Sequence, residues 1–149
     1  MSDYIAYTAS KHPAPHAGEV GLTPLFYGLF AAPIMWAGNF MIDYGLVSYA
    51  CYPASQPLPD PQPGWESAFW LTLVFHVLTL AVCASAAFVA FRNWMATRHE
   101  SDGHAHDLID AGEGRARFLA LIGMAFSALF FLATIFSTLI YAIEPLCSS

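Results

Sequence analysis

Two ionisable side chains lie inside long apolar runs of this sequence, where such groups are rare. Asp43 lies toward the end of the first run, and His76 lies near the middle of the second. An acid inside a membrane is costly enough to indicate a function or a specific contact. If the runs form antiparallel helices, the depths of Asp43 and His76 differ by only a few ångströms at about 1.5 Å per residue. We therefore predict that they form a hydrogen bond or ion pair, with Asn39 one turn before Asp43 on the same face.

This polar pair, Asp43 and His76 with Asn39 beside it, has two interpretations. It either joins two helices, or it accepts protons or faces a cofactor. Polar side chains inside membranes often hydrogen-bond across helices, which favours the joining role. A bis-histidine haem needs two axial ligands, and His76 is the only histidine within the apolar runs. We therefore predict that the chain holds no cofactor.

Imidazole and carboxylate groups also occur together in a polar segment after the second run. His104 and His106 could bind a divalent metal ion there. Structural metal sites usually have tighter, rigidly spaced ligands, so a solvated polar loop is the preferred interpretation. We predict no metal site, and His104 and His106 are the only candidates for one.

The three cysteines are the remaining side chains that could do chemistry. Cys51 follows the first run and Cys147 follows the third, so both fall on the same face of a membrane. If that face is oxidising, a disulfide between them is expected; two thiolates holding a soft metal are the alternative. Cys83 lies in the middle of the second run, where packing is the preferred role.

These groups must be positioned by three apolar segments, each longer than the roughly 20 residues that cross a bilayer as a helix. Hydrophobic residues form 57% of the 149-residue chain and charged residues 11%, against about 25% charged in soluble domains. We predict a single all-α transmembrane domain with helices at residues 25–50, 68–91 and 118–143. A Pro-rich outer loop at 52–66 acts as a stiff connector or a docking surface, and a polar loop at 93–114 follows the second helix.

The ends of the first span also carry helix signals. Thr23 is predicted to cap the first helix, with Pro24 at its first position. Pro53 is predicted to end the same helix.

Every basic residue falls on one side of this three-span arrangement. Loops rich in Lys and Arg stay in the cytoplasm. We therefore predict an up-down-up bundle with a cytoplasmic amino-terminal tail (residues 1–23) and an external carboxyl terminus. The net charge of −6 argues against a nucleic-acid partner, which needs clustered basic residues; the expected partners are the lipid bilayer and other membrane subunits. The basic residues are Lys11, Arg92, Arg98, Arg115 and Arg117.

Small and polar residues recur at spacings of three and four in the second and third spans. Because lipid provides no hydrophobic drive between helices, such residues indicate the faces that pack against protein. The predicted packing residues are Thr72, Thr79, Cys83, Gly123 and Ser127.

Four short segments resemble a family of small uncharacterised bacterial membrane proteins. They are residues 30–37 (Phe-Ala-Ala-Pro-Ile-Met-Trp-Ala), 49–53 (Tyr-Ala-Cys-Tyr-Pro), 114–120 (Gly-Arg-Ala-Arg-Phe-Leu-Ala) and 145–147 (Pro-Leu-Cys). Genes of that family lie beside those of cytochrome c oxidase-type haem–copper oxidases. The resemblance covers about half of the chain and includes no catalytic motif. It implies a bacterial plasma-membrane location and a role beside a respiratory oxidase.

Two functions are therefore expected in order of preference. The first is a non-catalytic accessory or assembly subunit of a membrane respiratory complex, an oxidase of this type. The alternative is a small proton-coupled transporter or membrane redox component that uses Asp43 and His76. The sequence has no nucleotide motif and no Cys-x-x-Cys pair, which favours the first.

Overall fold

Three long α-helices form the core of the molecule. A computed structural model describes residues 20–54, 56–97, 115–143 and 146–147. The helices are α1 (Leu22–Cys51), α2 (Ala68–Thr97) and α3 (Arg115–Ile143), and the described ranges contain no strand. All three are long and apolar enough to cross a membrane. The predicted all-α architecture with three membrane-spanning helices is confirmed at that level.

The helix boundaries extend beyond the predicted spans. Helix α1 begins at Leu22, with Gly21 and not Thr23 at the N-cap. Pro24 is tolerated as the third helical residue because the first-turn N–H groups have no intrahelical acceptor in any case. Helix α2 continues to Thr97 and α3 begins at Arg115. Hydropathy marks the part of a helix that lies in lipid, whereas backbone hydrogen bonding continues into the interface.

The two ends of the bundle show how the helices run. At one end, Leu25 near the start of α1 packs with Ala120 near the start of α3 and with Trp94 near the end of α2. At the other end, Cys51 at the end of α1 packs with Ala68 at the start of α2. Helices α1 and α3 are therefore parallel to each other and antiparallel to α2, which gives an up-down-up order.

One face of α2 supplies much of the bundle interior. Its buried residues recur every three or four positions along the whole helix, whereas large apolar side chains such as Trp70, Val77 and Phe88 are exposed. Small side chains inside and large apolar side chains outside are what helices packed in lipid require. The buried residues of α2 are Ala68, Thr72, His76, Thr79, Cys83, Ala86, Ala90, Asn93 and Thr97.

Helices α1 and α3 approach each other most closely at two glycines. A Cβ atom added to Gly123 would lie 2.8 Å from the carbonyl oxygen of Gly28. Ser127, one turn further along α3, donates a hydrogen bond of 3.5 Å to the same oxygen. A Cβ added to Gly28 itself would lie 3.2 Å from the Cβ of Ala90 in α2. All three helices therefore meet around Gly28.

The close contact at Gly123 predicts that a larger residue there lowers the stability of the bundle. We expect Gly123→Ala to destabilise the bundle by about 1–3 kcal/mol, because the new methyl group meets backbone that cannot move alone. The control is Gly45→Ala, since nothing lies within 4 Å of a Cβ built at Gly45; this change should be neutral or slightly stabilising. Unfolding of both variants in bicelles measures the difference. Equal stabilities would contradict the close α1–α3 contact.

The Pro-rich outer loop folds back on the end of α1. Leu58 N–H donates to the carbonyl of Cys51 and Gln62 N–H to that of Ala50, both at 2.9 Å. The Gln62 side-chain amide donates to the carbonyl of Tyr49 at 2.6 Å, and the Tyr49 and Trp65 rings stack with centroids 5.9 Å apart. The last carbonyls of a helix have no intrahelical donors. The loop therefore caps α1, which makes it a fixed connector.

The turn that leads from this loop into α2 is held by a carboxylate. Gly64 adopts a φ of +93°, a left-handed conformation that favours glycine, and its N–H donates to both carboxylate oxygens of Glu66. Hydrogen bonds from the backbone N–H groups of Glu66 itself and of Gly64 lower the pKa of the Glu66 carboxyl. The carboxylate therefore stays ionised at neutral pH and stabilises the turn.

Candidate functional site

Side chains from all three helices converge on His76. The Nε2 atom of His76 in α2 lies 3.6 Å from Oδ2 of Asp43 in α1. The ring of Tyr141 in α3 meets the His76 ring edge to face, with centroids 5.3 Å apart. His76 is fully buried and Asp43 is 5% exposed. The structure thus brings together the two residues of the predicted polar pair.

Asn39 completes this group from the same face of α1. Its amide Nδ2 donates a hydrogen bond of 3.0 Å to Oδ2 of Asp43, one turn away. That carboxylate oxygen therefore lies between the Asn39 amide and the His76 ring. Asn39 is also 5% exposed, so all three polar side chains are removed from lipid.

The hydrogen bond on the other side of the His76 ring determines how many protons the pair holds. Nδ1 of His76 lies 2.9 Å from the backbone carbonyl of Thr72. A carbonyl only accepts hydrogen bonds, so Nδ1 carries a hydrogen and donates it. Nε2 and the Asp43 carboxylate would then face each other as two acceptors unless one of them is protonated. A pair that holds one such proton, as imidazolium and carboxylate or as imidazole and carboxylic acid, avoids this opposition of two acceptors.

Either distribution of that proton leaves the pair with no net charge. A neutral pair avoids the large cost of an isolated ion in a low-dielectric interior. At 3.6 Å the Nε2–Oδ2 separation is an ion-pair distance and is longer than a hydrogen bond. The arrangement can hold a proton and, with a small approach of the two groups, pass it from one to the other.

Four buried polar atoms of the site have no hydrogen-bond partner: Oδ1 of Asn39, Oδ1 of Asp43, Nε2 of His76 and Oγ1 of Thr72. The first two are oxygens that only accept hydrogen bonds. Most buried polar atoms in proteins have a partner, and one left without costs about 1–3 kcal/mol. Two neighbouring buried acceptors on one helix face indicate that a donor is needed there.

A cleft of about 280 Å³ lies between α1 and α3. Its lining includes Asn39, Asp43 and Tyr141, of which Asn39 and Asp43 are buried. Phe40, Tyr44 and Ile140 also line the cleft and are exposed on the outer surface of the bundle. The cleft therefore opens sideways, toward the lipid that surrounds the helices.

The sequence identified Asn39 and Asp43 in this lining, and the neighbouring His76, but not most of the other lining residues. Trp36, Phe40 and Val47 also line the cleft. They lie seven, three and four residues from Asp43, so extending the Asp43 face along α1 would have found them. Ser137 precedes Tyr141 by one turn on α3 and lines the cleft as well. The signal was present, but these residue types are ordinary on a lipid-facing helix.

The predicted disulfide is present at the end of the bundle where α1 ends and α2 begins. Cys51 and Cys147 are bonded, with Cα atoms 5.4 Å apart and a sequence separation of 96. Both are buried in a cluster with Ala50 and Ala68, against which Trp65 of the outer loop packs. The bridge joins the carboxyl-terminal ends of α1 and α3, and the thiolate metal site considered as its alternative does not apply.

The predicted packing residues and metal-ligand candidates lie elsewhere in the chain. Thr72, Thr79 and Cys83 are buried on α2, and Cys83 is a free thiol. Gly123 and Ser127 lie at the α1–α3 contact. Within the described ranges no three His, Cys, Asp or Glu residues are grouped to hold a metal ion. His104 and His106 lie outside the described residues.

Comparison with known proteins gives no further guide to this site. No protein-family model, no curated protein and no solved structure matches the chain.

Proposed function

We propose that this chain is a non-catalytic accessory or assembly subunit of a membrane respiratory complex. The observation that carries the proposal is the set of contacts that the chain's polar groups make with one another. Asp43 and His76 join α1 to α2, Ser127 joins α3 to α1, and the outer loop caps α1. Each of these contacts joins two parts of the same bundle. This is the pattern of a scaffold that presents apolar faces to lipid and to other subunits.

The identity of the complex rests on sequence resemblance. Segments in α1 and α3 resemble small bacterial proteins whose genes lie beside those of cytochrome c oxidase-type haem–copper oxidases. An oxidase in the bacterial plasma membrane is therefore the proposed partner. The exposed apolar side chains of the helices, including Phe136 and Ile140 on α3, suit contact with another membrane subunit as well as with lipid.

Purification from native membranes tests this proposal. A tagged copy, extracted in mild detergent, is expected to bring haem-containing oxidase subunits with it in fixed proportion. A similarly tagged, unrelated three-helix membrane protein expressed at the same level serves as the control. Recovery of the tagged protein alone, or as an oligomer of itself, would count against the accessory role.

A proton-coupled function is the second candidate, and one observation favours it. Nε2 of His76 lies 3.6 Å from Oδ2 of Asp43, and Asp43 lines a cleft that opens to lipid. Neighbouring acidic and histidine side chains inside a membrane carry protons in pumps and transporters. Asp43→Asn discriminates the two roles. It removes the titratable group but supplies an amide donor for Nε2, so a scaffold should keep its function and a proton carrier should lose it.

The orientation of the bundle is part of the proposal. Arg92 in α2 and Arg117 in α3 lie near the end at which α2 ends and α3 begins, and this end is assigned to the cytoplasm. Reporter fusions after Arg98 and after Ser149 are expected to report opposite sides of the membrane, with the second outside. A cytoplasmic signal from the second fusion would reverse the orientation and place the disulfide in a reducing compartment.

A further inference from the structure

We propose that the cleft between α1 and α3 binds the ring of a lipid-soluble hydroquinone, with one of its hydroxyl groups donating to the unpartnered oxygens of Asn39 and Asp43. This goes beyond the accessory role, since a scaffold needs no ligand. It concerns binding only and does not require that the chain oxidise the ligand.

The chemistry of the cleft defines what the ligand must supply. Oδ1 of Asn39 and Oδ1 of Asp43 are both acceptors without a donor, so the ligand must donate a hydrogen bond. A carboxyl group at the same place disfavours an anionic ligand. A neutral hydroxyl group satisfies both conditions.

The depth of the cleft distinguishes this ligand from a phospholipid. The middle of α1 falls between Trp36 and Ala37. At about 1.5 Å per residue, Asn39 and Asp43 lie roughly 4 and 10 Å from it. Both values are within the half-thickness of about 15 Å of the hydrocarbon core for a helix centred in the bilayer. A phospholipid's donors lie in the headgroup region, whereas the ring of a hydroquinone dissolves in the hydrocarbon.

The walls and the opening of the cleft suit a flat ring with an apolar tail. Aromatic side chains supply much of the lining, and ring–ring contacts add to the apolar contact area. A volume of about 280 Å³ lies near the lower limit of small-molecule sites, about 300 Å³. It accommodates a substituted ring, and the lateral opening leaves the tail in lipid. The aromatic lining residues are Trp36, Phe40, Tyr44 and Tyr141.

Binding of matched ligands to the full-length protein tests the proposal. The probe is a methyl- and methoxy-substituted 1,4-hydroquinone without a tail. It is titrated calorimetrically, without oxygen, against protein in phosphatidylcholine nanodiscs, and empty nanodiscs correct for partition into lipid. Its dimethyl ether has the same ring and no donor. We expect the hydroquinone to bind and the ether to bind at least about tenfold more weakly, as loss of a hydrogen bond to a polar site predicts.

A variant whose new side chain fills the cleft provides a second test of hydroquinone binding. Ser137 lines the cleft and its hydroxyl bonds only to its own helix, at Ala133. Ser137→Phe is expected to abolish hydroquinone binding without altering Asn39 or Asp43. Leu139→Phe places the same ring on an exposed part of α3 outside the lining and should bind as the unmodified protein does.

Three results would overturn the proposal. They are no saturable hydroquinone binding, equal binding of hydroquinone and ether, and binding unchanged by Ser137→Phe. Because these measurements use the isolated protein, they are independent of whether it co-purifies with an oxidase.

Discussion

Replacing either Cys51 or Cys147 by serine is expected to lower the stability of the bundle by the same amount, and replacing both should lower it no further. The two thiols form one bond that closes a loop with a sequence separation of 96. Chain-entropy arguments assign about 4–5 kcal/mol to a loop of roughly this length in a water-soluble chain. The gain in a bilayer should be smaller, because inserted helices are already confined before they pack.

The surroundings of the bridge determine which measurement is most direct. Trp65 of the outer loop packs on the cluster that contains both cysteines, and its ring stacks on Tyr49. Loss of the bridge should therefore loosen the end of α1 and change the fluorescence of Trp65 along with the unfolding midpoint. Cys83→Ser is the control, since Cys83 is a buried free thiol on α2 and takes no part in the bridge.

Alkylation and mass spectrometry provide an independent check. Without reduction, peptides that contain Cys51 and Cys147 should be recovered linked, and only Cys83 should be alkylated after unfolding. Serine replacements that differ from each other, or that add when combined, would show that each thiol acts through its own packing. Free thiols at both positions in protein from an oxidising compartment would remove the bridge altogether.

The parts of this fold that can be predicted from the sequence are those that the lipid environment requires. A helix must supply about 20 apolar residues to cross the hydrocarbon, so the three spans are visible from composition alone. Small and polar residues stand out against such a background, which is why the α2 face that carries Thr72, Thr79 and Cys83 could be identified. Asn93 and Thr97 continue that face in the structure, beyond the end assigned from hydropathy.

The parts that sequence does not predict depend on the register between helices. Gly28 is the centre of the three-helix contact, but one glycine among apolar residues does not reveal which helix it faces. The same holds for Trp36 and Phe40 beside the cleft. In water, large apolar residues indicate the core, whereas in lipid they are equally suited to either side. Only the polar pair, which needs a partner, restricted the register in advance.

Removing one member of the polar pair is expected to cost more than removing both. His76→Leu leaves the Asp43 carboxyl buried without the imidazole that faces it, and Asp43→Leu leaves Nε2 of His76 without the carboxyl 3.6 Å away. Breaking a buried pair in this way costs about 3–5 kcal/mol, whereas an apolar replacement of the whole pair is often neutral. The double variant, Asp43→Leu with His76→Leu, should therefore be more stable than either single variant.

The size of the coupling decides what kind of contact the pair makes. An ordinary hydrogen bond between membrane helices contributes about 0.6 kcal/mol on average and at most about 1.7. The coupling energy is measured by reversible unfolding, in bicelles, of the unmodified protein, the two single variants and the double variant. A coupling energy well above that range would require the shared proton and its charge. A value near zero would mean that Asp43 and His76 act independently, despite the 3.6 Å between them.

Asp43→Asn separates charge from hydrogen bonding within the same experiment. Nδ1 of His76 donates to the Thr72 carbonyl, so Nε2 is free to accept from an asparagine amide. A neutral hydrogen bond then replaces the shared proton, and we expect most of the stability to be retained. Asp43→Ala, which supplies no donor, should be markedly less stable. If the asparagine variant is as unstable as the alanine variant, the ionised form of Asp43 is what holds α1 to α2.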